Sequence, residues 1–209
     1  MSSSDGHDHD HDHPVFRDDN DVEDTALLRY RALRSLLIDK GFVNEQDLRT
    51  VVERMERVGP ESGSRIVATA WTDENFKARL LRDGKSTVAE LGYEMAEADL
   101  IVVENTPALH NLVVCTLCSC YPRSLLGQPP SWYVSRSYLT RAVREPRAVL
   151  AEFGVKLPDD VEVRVHDSYA DMRYLVLPAR PPETEGWPIE RLEALVTRDC
   201  MIGTAVPRL

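Results

Sequence analysis

No stretch of this sequence is long and apolar enough to cross a bilayer. Its longer apolar runs, such as Leu100–Val103 and Leu112–Cys115, fall far short of the roughly 20 residues a spanning helix needs. The N-terminus is acidic and lacks an apolar segment, so nothing there reads as a signal peptide. Basic residues are scarce: 25 Lys and Arg against 35 Asp and Glu leave a formal charge of −10. That balance excludes the basic footprint of a nucleic-acid binder. Cysteine is also sparse, with four residues, three of them between positions 115 and 120. Such clustering excludes a disulfide framework and points to metal or redox chemistry. No internal repeat is present. What remains is 209 residues with an ordinary hydrophobic share of 43%, enough for one sizeable domain plus an arm. A soluble, cytoplasmic protein is expected, with no membrane and no nucleic-acid partner.

Three segments are expected. Residues 1–21 form a polar tail in which His7, His9, His11 and His13 alternate with Asp8, Asp10 and Asp12. It has too little apolar surface to offset the entropy of ordering it, so it reads as disordered. Imidazole and carboxylate could bind divalent metal there, or the tail could simply aid solubility. Residues 22–60 read as a helical arm. Ala26, Tyr30, Leu33 and Leu37 share one face of a helix over 23–40, and Gly41 is a plausible stop. Asn44 can cap a second helix carrying Leu48, Val51, Val52 and Met55, before Gly59-Pro60 breaks the pattern. Residues 61–209 read as an α+β domain. A short helix is expected over 73–82, followed by Gly84. Strands are expected at 100–104 and 112–114 around the turn Asn105-Thr106-Pro107. Two more are expected at 161–165 and 172–177, joined at Asp167-Ser168. A helix near 146–153 lies between the strand pairs, and Pro188 opens a last helix through Val196.

The chemistry is concentrated in Cys115-Thr116-Leu117-Cys118-Ser119-Cys120. Three thiols this close can converge on one ion if the backbone closes into a tight loop. A structural zinc site usually takes four side-chain ligands, often as two separated cysteine pairs, and no second pair exists here. The shell can be completed by the deprotonated amide nitrogens of Ser119 and Cys120. Five donors would then leave a sixth position open, as a Lewis-acid catalyst requires. The same spacing also occurs in zinc and iron–sulfur proteins. Cys200, alone in sequence, reads as a small buried hydrophobe. His110 and His166 read as structural.

The run Val113-Val114-Cys115-Thr116-Leu117-Cys118-Ser119-Cys120-Tyr121-Pro122 resembles the metal-claw loop of nitrile hydratase α subunits. The likeness continues in Ala70-Trp71-Thr72-Asp73, Val103-Glu104-Asn105-Thr106, Val143-Arg144-Glu145-Pro146-Arg147, Gly186-Trp187 and Val196-Thr197-Arg198-Asp199. It covers roughly residues 22–207. The resemblance implies a layered α/β/β/α domain that carries the loop, preceded by the helical arm contacting a partner subunit. It implies Cys115 as an axial thiolate, Cys118 as a sulfinic acid and catalytic Cys120 as a sulfenic acid, both still metal-bound. The Ser119 and Cys120 amides would complete the set. Thr116 matches the cobalt branch, so the implied cofactor is low-spin Co(III), one per chain. The implied reaction hydrates a small-molecule nitrile to its amide, with metal-activated water or the sulfenate as the attacking group. The implied partners are β-type subunits, in some members split into two chains, and a metal-insertion activator protein.

One position departs from the common pattern. Where Trp usually follows the Tyr-Pro pair, this chain has Arg123. It is either a solvated or interface arginine, or a cationic wall of the substrate pocket. The γ subunit of thiocyanate hydrolase has a similar Tyr-Pro-Arg, a similar His/Asp-rich N-terminus and a similar Arg198-Asp199-Cys200 run. This chain lacks the longer segment that precedes the cluster in that enzyme. The assignment therefore stays open between the two activities. A metal-storage or metal-delivery protein is the non-enzyme alternative.

Overall fold

A computed structural model describes residues 22–56, 58–95, 98–117 and 120–209. The His/Asp run and two residues of the cysteine cluster, Cys118 and Ser119, lie outside the described residues.

The two N-terminal helices fall where the apolar spacing puts them. Helix α1 spans Val22–Asp39, and Gly41 follows it with φ +71°, a left-handed conformation that glycine adopts without strain. Helix α2 spans Glu45–Glu56. Its first turn is closed by Asn44, whose side-chain oxygen accepts from the Asp47 N–H at 2.7 Å. An Arg34–Glu45 ion pair at 2.8 Å links the two helices. The apolar side of α1 is uncovered, with Leu28, Tyr30, Leu33 and Leu36 each more than half exposed.

Helix α3, Glu61–Thr72, is not announced by the sequence, because Gly63 and Ser64 in its first turn are poor helix formers. Tertiary packing supplies what local preference lacks. A Cβ at Gly63 would come within 2.5 Å of Leu126 and 2.6 Å of Met201, so glycine allows a close approach of helices. Ser64 donates to the carbonyl of Val196 at 2.7 Å. Helix α4, Glu74–Arg82, begins as expected at Asp73, whose carboxylate accepts from the N–H groups of Asn75 and Phe76. Gly84 follows α4, as expected. It opens helix α5, Gly84–Glu90, where a Cβ would stand 2.5 Å from the Leu100 carbonyl oxygen.

Four strands follow: β1 (Asp99–Glu104), β2 (Leu109–Val114), β3 (Glu162–Asp167) and β4 (Met172–Leu177). The first expected turn is present, closed by an antiparallel bridge of Thr106 with Leu109. The second lies at Ala170-Asp171, closed by Tyr169 with Met172, because β3 runs on through Asp167, where the turn was expected. The strands flanking a turn do not pair with each other, however. Instead β1 pairs with β4 and β2 with β3, both in parallel, so each turn carries the chain from one two-stranded sheet to the other. Strand β2 is buried almost throughout, as befits a parallel strand covered on both faces.

Between β2 and β3 the chain forms α6 (Arg123–Leu126), a 3-10 turn at Ser131–Val134, α7 (Arg136–Arg144) and α8 (Pro146–Glu152). Ser135 caps α7 by accepting from the Tyr138 N–H at 3.1 Å. At the C-terminus the helix expected from Pro188 through Val196 is shorter, and a further helix follows beyond that span. Helix α9 (Ile189–Glu193) ends early, and Thr197 caps a separate α10 (Arg198–Ile202). Helices α4 and α5 pack on β1, α7 on β2, α8 on β3, and α10 on both β2 and β4. No helix among the described residues is long and apolar enough to cross a membrane.

Candidate metal centre

The cysteine cluster begins where β2 ends. Cys115 follows Val114 directly and is fully buried, and Cys120 at the far end of the loop is also buried. Between them Leu117 projects outward, 86% exposed. The described residues thus place two of the three clustered thiols inside the protein at the two ends of one short loop. Among the described residues no group of three or more His, Cys, Asp or Glu side chains is arranged to hold a metal ion.

Three side chains fix the backbone around this loop. The parallel register sets Val114 opposite Asp167, which puts the Asp167 carboxylate at the start of the loop. One of its oxygens accepts from the Thr116 N–H at 2.8 Å and the other from the Thr116 hydroxyl at 2.5 Å. At the other end the buried Tyr133 hydroxyl donates to the Cys120 carbonyl at 3.0 Å. Tyr138, also buried, donates to the Val113 carbonyl at 2.8 Å, one residue before β2 ends. Edge contacts lock these rings. Tyr121 meets Tyr133 with centroids 5.1 Å apart, and Trp132 meets Tyr138 at 4.9 Å.

The electrostatics keep the phenols protonated. Burial pushes the Tyr133 hydroxyl well above its ordinary range, and the neighbouring Cys115, Tyr121 and Cys120 push it further. Tyr121 is raised by burial as well, against the opposing effect of Arg198. Both phenols therefore stay protonated at any working pH, and the Tyr133 hydroxyl serves as a donor.

Behind the loop lies a buried chain of amides and imidazoles. His110 donates from Nε2 to the Gly203 carbonyl at 2.7 Å, which leaves Nδ1 to accept from Asn105 at 3.4 Å. Asn105 accepts from the backbone N–H of Asn111 at 2.7 Å, and Asn111 in turn meets His166 at 2.8 Å. The His166 ring lies against Tyr174 with centroids 4.9 Å apart. Both histidines are thus tied into the frame that joins β2, β3 and α10. Burial lowers the pKa of each, and Arg164 adds to the effect at His166.

Arg123 opens α6 three residues after Cys120 and is exposed. Its N–H donates to the Tyr121 carbonyl at 2.8 Å. Sequence reasoning placed Asp167 in a turn and gave no role to Tyr133 or Tyr138. Nothing local signals these roles, since His166, Asp167 and Ser168 after Val165 carry no β-branched side chain.

A family model described as nitrile hydratase, alpha chain, matches residues 24–205. The chain belongs to the nitrile hydratase α-chain family. It is 49% identical over 181 residues to the low-molecular weight cobalt-containing nitrile hydratase subunit alpha of Rhodococcus rhodochrous, covering 86% of this chain and 87% of that one. It is also 42% identical over 200 residues to the thiocyanate hydrolase subunit gamma of Thiobacillus thioparus, covering 90% and 82%. A solved structure of a histidine double mutant of the Fe-type nitrile hydratase from Comamonas testosteroni superposes with a TM-score of 0.82 at 40% identity, over 91% of this chain and 92% of that one. The nitrile hydratase α chain is thus a fold shared by cobalt, iron and thiocyanate-hydrolysing relatives. The donor set fits a transition metal. Buried thiols at Cys115 and Cys120 suit such ions and not hard cations such as calcium or magnesium, which take oxygen ligands.

Proposed function

We propose that this chain is the catalytic α-type subunit of a cobalt nitrile hydratase, with the metal held by the loop from Cys115 to Cys120. The observation that carries this is the pair of buried thiols at the two ends of that loop, in a chain 49% identical to a cobalt-containing nitrile hydratase α subunit. Cys115, Cys118 and Cys120 would hold the ion as sulfur donors, with the Ser119 and Cys120 amides completing the set. We place Co(III) there, one per chain, with Cys118 as a sulfinic acid and Cys120 as a sulfenic acid. When bound, the metal supplies Lewis acidity for adding one water across a carbon–nitrogen triple bond, R–C≡N plus H₂O giving R–C(=O)–NH₂. The protein's part is positional. Tyr133 and Asp167 hold the two ends of the loop, and burial of Cys115 and Cys120 keeps bulk water from the sulfur atoms.

The exposed apolar face of α1, including Leu28, Tyr30, Leu33 and Leu36, supports a β-type partner laid along the arm at residues 22–60. In this reading residues 61–209 are the layered catalytic domain, with α4 and α5 outside one sheet and α7 and α8 outside the other. A metal-insertion activator and a cytoplasmic location complete the proposal.

Thiocyanate hydrolysis is the second reading. It is favoured by the 42% identity to a thiocyanate hydrolase γ subunit and by the exposed guanidinium of Arg123 beside the loop. Co-producing the chain with its β-type partner in cobalt-supplemented medium, then offering a neutral nitrile and thiocyanate separately, decides between them. Amide release from the nitrile supports the first reading. Thiocyanate consumption without nitrile turnover supports the second, and neither activity in cobalt-loaded protein overturns both.

A further inference from the structure

The Asp167 carboxylate meets the cysteine loop directly, and it does so twice through one residue. Its two oxygens receive the N–H and the hydroxyl of Thr116 at 2.8 and 2.5 Å. The strand register makes this contact obligatory. Val114 stands opposite Asp167, and the Ser168 N–H donates to the Val114 carbonyl at 2.8 Å. Thr116 sits between the first two cysteines, so fixing it fixes the direction in which the chain leaves Cys115. The far end is fixed separately through the Tyr133 bond to the Cys120 carbonyl. Fixing Thr116 and Cys120 removes backbone freedom at those two positions before any ligand arrives.

We infer that Asp167 is a positioning residue of the metal loop, clasping Thr116 to fix the backbone where it leaves Cys115 independently of the metal. The inference rests on the metal-centre reading for its consequence but not for its geometry. The clasp has a second effect. A carboxylate next to a thiol cluster is itself a potential metal ligand, and engaging both oxygens with Thr116 keeps hard oxygen donors out of the set. Either hydroxyl amino acid at position 116 can make the clasp. Valine, of nearly the same shape, keeps the N–H contact and loses the other.

Three variants of the full chain test this: Thr116→Ser, Thr116→Val and Asp167→Ala. In metal-free protein, amide hydrogen exchange at Thr116 is expected to quicken about five- to ten-fold in Asp167→Ala. That is less than a buried charge-assisted hydrogen bond would give, because both groups are solvent-exposed. In cobalt-loaded protein, Thr116→Val is expected to lose cobalt to a chelator faster by a similar factor. Its cobalt–thiolate charge-transfer band should shift, while Thr116→Ser matches the parent in both. Far-ultraviolet circular dichroism confirms that each variant is folded, and Thr116→Val stands in if Asp167→Ala is not. Parent-like exchange in Asp167→Ala, or a parent-like band and cobalt release in Thr116→Val, overturns the clasp. A parent chain that takes up no cobalt yet shows the protected Thr116 amide overturns the metal-centre reading and leaves the clasp standing.

Discussion

Replacing Tyr133 with phenylalanine removes one oxygen atom from the best-buried part of the loop's support. The ring is fully buried and packs edge-on against Tyr121 with centroids 5.1 Å apart, so nearly all of its apolar contact survives the change. What is lost is the hydroxyl that donates to the Cys120 carbonyl at 3.0 Å. A buried carbonyl with one donor fewer costs about 1–3 kcal/mol, so about 2 kcal/mol is a reasonable centre. For a chain of this size each kcal/mol corresponds to about 2–4 °C in Tm, which gives a drop of about 4–8 °C. Tyr138→Phe is the internal comparison. It loses a similar bond, to the Val113 carbonyl at 2.8 Å, and should lower Tm by a similar amount. The two should differ at the metal. Tyr133 acts on the cysteine itself and Tyr138 on the strand before the loop, so only Tyr133→Phe should alter the cobalt–thiolate absorption. Thermal unfolding and the visible spectrum of both variants are the assay. A Tyr133→Phe protein within about 0.5 kcal/mol of the parent, with an unchanged spectrum, would refute the claim that Tyr133 supports the loop.

Three further outcomes are expected. Arg123→Trp should lower kcat/KM for a polar or anionic substrate by roughly ten-fold while sparing small apolar nitriles, as steady-state kinetics on paired substrates will show. An unchanged ratio means the side chain points away from the pocket. The pKa of His110 is lowered from 6.5 by burial, so the unfolded chain takes up its proton first as pH falls. Stability should therefore be full above about pH 6.5 and decline below it, with a shallower decline of Tm between pH 7 and 5 in His110→Gln. The slope should not vanish, since His166 is shifted the same way. Deleting residues 22–57 should abolish association with a β-type partner in size-exclusion chromatography while leaving the remaining domain folded. An intact complex would give the arm another role.

What the sequence discloses, it discloses where local chemistry acts alone. Helices α1 and α2 carry their own apolar spacing, and Asn44 and Gly41 mark their ends by side-chain capping and left-handed backbone. The strands announce themselves by β-branched content, and the cysteine spacing by its rarity. Helix α3 does not, because Gly63 and Ser64 weaken it locally and its stability comes from close packing on Leu126 and Met201. Gly84 follows α4 as expected, but the helix it opens is hidden for the same reason. Its role is a close approach to Leu100 on β1. Strand partners were also hidden. The two short turns suggest neighbours in sequence, whereas the parallel pairs join residues more than fifty positions apart. Asp167 becomes part of the site only through that pairing, and Tyr133 only through the fold of the intervening segment. Cys118 and Ser119 remain proposals from the sequence pattern, since they lie outside the described residues.

The central claim is that catalysis depends on cobalt held by the loop from Cys115 to Cys120. It is tested most directly by preparing the chain with its β-type partner at graded cobalt supply and measuring metal content and nitrile hydration on each sample. The account predicts that amide formation rises in proportion to bound cobalt and levels off at one ion per chain, with Cys115→Ser protein inactive and free of cobalt. Activity that tracks iron or zinc, or that persists without bound cobalt, would contradict it.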